Sequence, residues 1–355
     1  MGKIIAITSQ PLAGIARDSY IIVTWRMLLR CNLDCSYCGP WLHDLTSDVP
    51  NYEKLSKAAI VLNEHAKSVN KKIYYFLTGG EPYLIKDFNK LLKFIKGQSQ
   101  TLEINVSSNA TVPVRIYKES LQYVNQLVLS LHLEVDLNAV EEKVKTVNEL
   151  SNEFPSNVTA MVMLEKGFFS QAQDIANTLK NNNVKYWLKL VQPQLSTNEI
   201  SFNPPLTSGK LVSDNAKSHL ISNYASIISD YYTTEEQEIV KTLAGIEEGN
   251  NVLCLWDNNT KSVENVTTLL SNGTNSFKGW ECHAGILQIE IFHDGGIHVG
   301  ACAANGAFGN IYTEDILWPN ATIECPLNYC VCTTDITAPK RNLGKKYTPV
   351  SVVTK

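Results

Sequence analysis

No stretch of this 355-residue chain approaches the roughly 18 consecutive apolar residues that a membrane-spanning helix requires. The opening MGKIIAITSQPLAG holds one lysine and an apolar run of only four residues, too short for a secretory signal. The expectation is a cytoplasmic protein with no membrane contact. A dominant charge is missing too: 31 Lys and Arg stand against 35 Asp and Glu, a formal net charge of −4, so no field gathers a polyanion such as nucleic acid. The stretch after Asp335 carries Lys340, Arg341, Lys345, Lys346 and Lys355 without an acid and reads as a solvated tail. With 44% hydrophobic and 19% charged residues, 19 Gly and 13 Pro, the composition excludes a disordered, collagenous or coiled-coil chain. The length, about twice a common domain of ~150 residues, favours one large α/β domain with a smaller appendage.

Cysteine is absent from residues 39 to 253, yet nine occur: Cys31, Cys35 and Cys38, then Cys254, Cys282, Cys302, Cys325, Cys330 and Cys332. In a reducing compartment such clustering points to metal binding or thiol chemistry, because structural disulfides are rare there. Cys254 alone, in VLCLWD, has the apolar flanks of a buried inert thiol.

Between the clusters, strand and helix patterns alternate. Expected strands are Tyr20–Trp25, Ile73–Leu77, Leu102–Val106, Gln126–Leu131, Val158–Leu164 and Val184–Leu190. Expected helices are Tyr52–Lys67, Asp87–Lys96, Val114–Tyr123, Leu137–Leu150 and Gln171–Asn181. The alternation implies a parallel sheet with right-handed crossovers, open or curled into a barrel, with its chemistry on the loops after the strands. The first cysteine cluster and the turn Thr78-Gly79-Gly80-Glu81-Pro82 both lie on such loops and should face each other. No longer repeat is visible. An Asn, Pro and Ser-rich stretch at 192–208 leaves the sheet, helical segments follow around Ser213–Glu247, and a β-hairpin is expected from Leu287–Phe292 and Ile297–Val299.

Cys31, Cys35 and Cys38 have the spacing C-x3-C-x2-C. Three thiolates on one tight loop can hold three irons of a [4Fe–4S] cube and leave one iron open to a chelating substrate or cofactor. The bland alternative is a zinc knuckle completed by His43. Here the chain resembles the radical S-adenosylmethionine superfamily, whose signature C-x3-C-x-aromatic-C is matched with Tyr37 in the aromatic slot and whose Gly-Gly-Glu-Pro turn is matched at Gly79 to Pro82. The resemblance spans roughly residues 20–190. It implies a partial (β/α)6 barrel, a cluster held by Cys31, Cys35 and Cys38, and S-adenosylmethionine on the open iron. By family position, Glu81 and the backbone of Gly79 and Gly80 hold the cofactor's amino group, and Tyr37 and Pro82 count among the cofactor-binding residues. Ser107, Ser108, Asn109 and Ser130 lie where members contact ribose or carboxylate, and His132 is a rim residue without a catalytic role.

The later cysteines resemble the SPASM/Twitch auxiliary-cluster extension: Cys282 before Ala284-Gly285, an Asp294-Gly295 hairpin ending in Cys302, Gly309-Asn310-Ile311, and a final group Cys325, Cys330 and Cys332. The hairpin is longer than usual for that family and the final group compressed. Five thiols suffice for one auxiliary [4Fe–4S] cluster with one spare, so the shorter Twitch form fits better; a zinc ribbon is the alternative. The expected division is a barrel at 1–208, a helical linker at 209–278, and a small iron–sulfur hairpin and loop domain with basic tail at 279–355.

The resemblance implies a radical enzyme acting on a peptide, with a sugar or nucleoside as the alternative substrate and a non-catalytic iron–sulfur or zinc protein as the alternative class. A reducing partner such as flavodoxin or ferredoxin is implied as well. Only about twenty residues precede the first expected strand, which weighs against a peptide-recognition domain there.

Overall fold

The computed structural model describes residues 2–9, 15–38, 43–191, 232–242, 251–271, 273–302, 306–327, 330 and 333–344. Cys332, Lys345, Lys346, Lys355, the 192–208 stretch and most of the expected helical region at 213–247 lie outside them.

Strands β2 (Tyr20–Arg26), β3 (Lys72–Thr78), β4 (Thr101–Ser108), β5 (Gln126–Leu131), β6 (Val158–Leu164) and β7 (Tyr186–Leu190) run in that spatial order, and every neighbouring pair is parallel. All six expected strands form, shifted by at most a few residues at their ends. Crossover helices α1 (Tyr52–Ser68), α2 (Phe88–Lys96), α3 (Val114–Ser120), α4 (Leu137–Glu153) and α5 (Phe169–Asn181) connect them. Local chemistry explains the helix starts: Asn51 Oδ1 accepts from Lys54 N at 2.9 Å, and Asp136 Oδ1 accepts from Asn138 N at 2.8 Å. In α2 the buried residues are Phe88, Leu91, Leu92 and Ile95, one face at helical spacing. Those faces close a core around Trp25, Tyr75, Leu77, Leu129 and Val162.

The sheet stays open, because β7 forms one edge of a ten-stranded array and β14 (Asp315–Ile316) the other. Its extra strands come from the late part of the chain. β11 (Gln288–Ile291) and β12 (Gly296–His298) form the expected hairpin, but β11 pairs parallel to β2. β13 (Ala307–Asn310) and β14 continue outward from it. The hairpin therefore extends the parallel sheet, and buried Arg17 helps seat it by donating to Tyr20 O at 3.0 Å and Leu287 O at 2.9 Å. Trp318 stacks on His65 of α1 with ring centroids 3.7 Å apart, so that histidine packs.

A second, antiparallel sheet has the order β15 (Ile323–Glu324), β10 (Trp280–Cys282), β16 (Lys340–Asn342), β1 (Ile4–Ser9), β8 (Asn251–Trp256), β9 (Lys261–Asn265). Three expectations change here. β1 precedes the first expected strand; its short run IIAI carries too little pattern to announce a strand whose partners lie some 250 to 335 positions away. The region expected as a helical linker holds helix α6 (Thr234–Thr242), the β8–β9 hairpin and a short helix α7 (Val266–Ser271), since cross-strand pairing stabilises 251–265. The basic tail is not wholly solvated. Lys340 is buried, with Nζ donating to Asp335 O at 2.7 Å and Ile336 O at 3.0 Å, and Arg341 pairs with Glu281.

Cys254 is fully buried beside Ile7, Val252, Val266, Leu269 and Phe277, and burial pushes its thiol up to about 12, as an inert core cysteine requires. Ile7 is only 2% exposed in that cluster. Ile7→Ala should cost about 2–5 kcal/mol of stability, read from urea unfolding; a loss below about 0.5 kcal/mol would mean that β1 does not anchor the second sheet.

Candidate functional site

The ends of β2 and β3 are joined backbone to backbone. Met27 N donates to Thr78 O at 2.9 Å, Gly80 N to Leu28 O at 2.8 Å, and Glu81 N to Arg30 O at 2.9 Å. These bonds press the Gly-Gly turn onto the start of the cysteine loop. A Cβ on Gly80 would lie 2.1 Å from Arg30 O, and one on Gly79, whose φ is +133°, 2.5 Å from Leu28 O, so neither position accepts a side chain. The two motifs do face each other. Buried Pro82 then opens a single 3-10 turn, Pro82–Leu84.

Glu81 is completely buried. Its Oε1 accepts from Tyr83 N and Ser108 Oγ, each at 3.0 Å, and its Oε2 accepts from Asn109 N at 2.8 Å. Burial raises its pKa to about 7 against these three donors. Glu81 thus ties the loop after β3 to the loop after β4. Asn109 carries the tie onward: its Nδ2 donates to Asn32 Oδ1 at 2.8 Å and reaches Cys31 Sγ at 3.6 Å.

On the other side, Ser130 Oγ donates to Ser108 O at 3.1 Å and meets His132 Nε2 at 3.0 Å. His132 Nδ1 lies 3.4 Å from Cys35 Sγ and bonds the Tyr37 hydroxyl, which also donates to Glu165 Oε1 at 3.0 Å. Leu133 N donates to the same oxygen at 2.9 Å. Glu165 is 1% exposed, and burial raises its pKa to about 7. Ser36 N donates to Glu134 Oε2 at 2.7 Å. The interaction between the two thiols raises the pKa of Cys35 and lowers that of Cys38.

The structure therefore gathers Cys31, Cys35, Cys38, Tyr37, Gly79, Gly80, Glu81, Pro82, Ser108, Asn109 and Ser130 at one end of the parallel sheet. His132, expected as an idle rim residue, touches Cys35 and Tyr37. Glu134 and Glu165 escaped the sequence reading, although Glu165 directly follows β6 and the strand-end rule that flagged Ser130 applies equally to it.

Among the described residues no three Cys, His, Asp or Glu side chains converge at metal-binding distances. The fit to a [4Fe–4S] cluster rests on the donor set: three thiols within one eight-residue loop, and nitrogen groups of Asn109 and His132 beside two of the sulfurs. That set suits a cube with one iron left open. Cys282 shares a small buried cluster with Ala284, Val299 and Ala338, against which Cys302 packs. The Cys325 thiol is pushed up by burial and, to a lesser degree, by the charge of Cys282. Cys330 packs on the other core, and its backbone N and O pair with Asn275. A groove of about 350 Å³ lies over the second sheet, lined by Ile7, Leu253, Lys261 and His283 among others, and among the described residues no cysteine lines it.

An open parallel α/β sheet with a three-cysteine loop after its first strand defines the domain. Residues 25–188 match the model of the Radical SAM superfamily. The GTP 3′,8-cyclase of Pasteurella multocida (strain Pm70) is 24% identical over 128 residues, 36% of this chain and 36% of the cyclase. The matched part is thus little more than a third of that relative. Among solved structures, Streptococcus suis SuiB bound to S-adenosylmethionine is 16% identical with a TM-score of 0.48, covering 84% of this chain and 64% of SuiB. A histidine-tagged anSMEcpe with bound AdoMet is also 16% identical, with a TM-score of 0.47 and coverage of 83% and 76%.

The buried Glu81 makes a pH signature. An unfolded glutamate titrates at ~4.3, whereas Glu81 in the folded chain titrates at about 7. Between the two, the unfolded chain has lost a proton that the folded chain keeps, so stability is highest below the lower value and falls as pH rises toward the upper one. Glu81→Gln has no proton to lose, so its urea midpoint should fall less than the wild type's from about pH 5 to about pH 8. Parallel curves would remove Glu81 as a source of the dependence.

Proposed function

We propose that the chain is a radical S-adenosylmethionine enzyme whose site is the end of the parallel sheet described above. The observation that carries the reading is the backbone stitching of the Gly79-Gly80-Glu81 turn to the three-cysteine loop, within the stretch that matches the superfamily. Cys31, Cys35 and Cys38 would hold a [4Fe–4S] cluster that, with S-adenosylmethionine bound, supplies a 5′-deoxyadenosyl radical for hydrogen abstraction. The close approach of Gly79 and Gly80 to the backbone of Leu28 and Arg30 sets the turn against the cysteine loop that would hold the cluster. Glu81 holds the strand-end loops in register through its three bonds, and Asn109 and His132 orient Cys31 and Cys35. Tyr37 closes one wall, tied to His132 and Glu165. An electron would come from a flavodoxin or ferredoxin-like donor.

A peptide is the first substrate class, supported by the resemblance of the Cys282 to Cys332 segment to auxiliary-cluster extensions. A small molecule of nucleoside type is the second, favoured by the sequence match to GTP 3′,8-cyclase. The late cysteines would hold an auxiliary [4Fe–4S] cluster, the four ligands drawn from Cys282, Cys302, Cys325, Cys330 and Cys332.

Anoxically reconstituted protein with dithionite should cleave S-adenosylmethionine to 5′-deoxyadenosine and methionine, followed by chromatography. Cys35→Ala should lower the yield by about 100-fold or more, because loss of one of three ligands removes the open-iron cluster. Unchanged cleavage in that variant would overturn the assignment. Replacing Cys31, Cys35 and Cys38 together by Ala should leave roughly four irons and four sulfides per chain in the auxiliary site. A colourless variant with about one zinc per chain would make the late cysteines a zinc ribbon instead.

A further inference from the structure

The segment that follows β5 lies along the cysteine loop residue by residue. His132 Nδ1 stands 3.4 Å from Cys35 Sγ and also bonds the Tyr37 hydroxyl. Glu134 accepts from Ser36 N at 2.7 Å and from the Ser36 hydroxyl. Between them, Leu133 N holds Glu165 Oε1 at 2.9 Å, the oxygen to which Tyr37 donates. Three consecutive residues thus fix Cys35, Ser36 and Tyr37. The imidazole is held at both ring nitrogens, since Ser130 Oγ lies 3.0 Å from Nε2, and its plane is within 10° of the Tyr37 ring. These bonds decide where the ring carries its hydrogen. Tyr37 has a single hydroxyl hydrogen and gives it to Glu165 Oε1 at 3.0 Å, so it offers His132 a lone pair. Nδ1 is therefore a donor, and its hydrogen faces both the Tyr37 oxygen and the Cys35 sulfur. An imidazolium carries the same hydrogen, so the donor does not depend on the charge of the ring.

We propose, on the iron–sulfur reading of that loop, that His132 is a positioning residue for the cluster: its Nδ1 hydrogen bonds to the Cys35 sulfur and raises the reduction potential of the [4Fe–4S] group that Cys31, Cys35 and Cys38 would hold. An electron from a reductant such as dithionite, which is oxidised in turn, adds negative charge that spreads onto the ligand sulfurs. A donor aimed at one of those sulfurs stabilises the reduced state more than the oxidised one. His132 acts through Cys35, and the bonds to Tyr37 and Ser130 keep its ring from turning away.

The test uses the full chain, reconstituted anoxically, with His132→Phe, His132→Gln and His132→Asn. Asn puts an amide N–H where Nδ1 stood, Gln reaches the position of Nε2, and Phe offers no donor. Iron and sulfide are counted, and electron paramagnetic resonance at poised potentials follows the signal that is absent when Cys31, Cys35 and Cys38 are all replaced by Ala. Wild type and variants should carry equal iron. The Phe and Gln variants should titrate at more negative potential than the wild type, and the Asn variant close to it. The Gln variant carries the comparison if Phe perturbs folding. Equal iron with an unshifted midpoint in Phe and Gln, or an Asn variant shifted as far as Gln, would overturn the donor role and leave the cluster reading intact. Iron lost alike from all three variants would also overturn it, making His132 a structural support of the loop. A wild-type chain that assembles no cluster would overturn the iron–sulfur reading itself.

Discussion

The site depends on one close backbone approach. Gly79 and Gly80 sit directly against the carbonyls of Leu28, Leu29 and Arg30, where any side chain would collide with main-chain oxygen. Two hydrogen bonds, from Gly80 N and Glu81 N, hold that approach, and parallel pairing of β2 with β3 up to Arg26 and Thr78 delivers both loops to the same level. Everything else at this end of the sheet is attached to it. Glu81 bridges to Ser108 and Asn109, Asn109 to the cysteine loop, and Ser130 and His132 close the circuit back to Cys35.

The arrangement also concentrates charge where water is scarce. Glu81 and Glu165 are nearly inaccessible, and the two carboxyl groups are pushed to about 7 by burial. A fold selected for stability alone would fill such positions with apolar side chains, because buried polar atoms without partners destabilise. Perturbed titratable groups gathered at the carboxyl ends of parallel strands are what a catalytic site needs, and here they surround three thiols.

The late part of the chain is built into the body of the molecule. β11 adds to β2 on the side away from β3, so the strand that feeds the cysteine loop is central in a ten-stranded sheet. β10 and β16 join β1 in the second sheet, which links the two ends of the described chain. Asp335 extends this integration: it is 4% exposed and accepts from Ala301 N at 3.1 Å and Cys302 N at 2.8 Å, fixing the end of the β12 hairpin near Cys302. Thus Cys302 follows a hairpin of the ten-stranded sheet, while Cys282 lies on β10 of the second sheet.

The amino-acid sequence by itself determined the six parallel strands and their helices, because hydrophobic periodicity of 2 and 3.6 is local and each βα unit repeats it. It also determined the cysteine loop and its partner turn, because thiol spacing and a Gly-Gly-Glu-Pro turn are written in consecutive residues. Strand β1 was not legible: four apolar residues are ambiguous until β8 and β16 arrive from the far end of the chain. Nor were Glu165 and the contact of His132 with Cys35, since polar residues near strand ends look like ordinary solvated residues in one dimension. Burial is a property of what packs on top. Only the tertiary structure decided which charges lost their water, and therefore which of them surround the thiols.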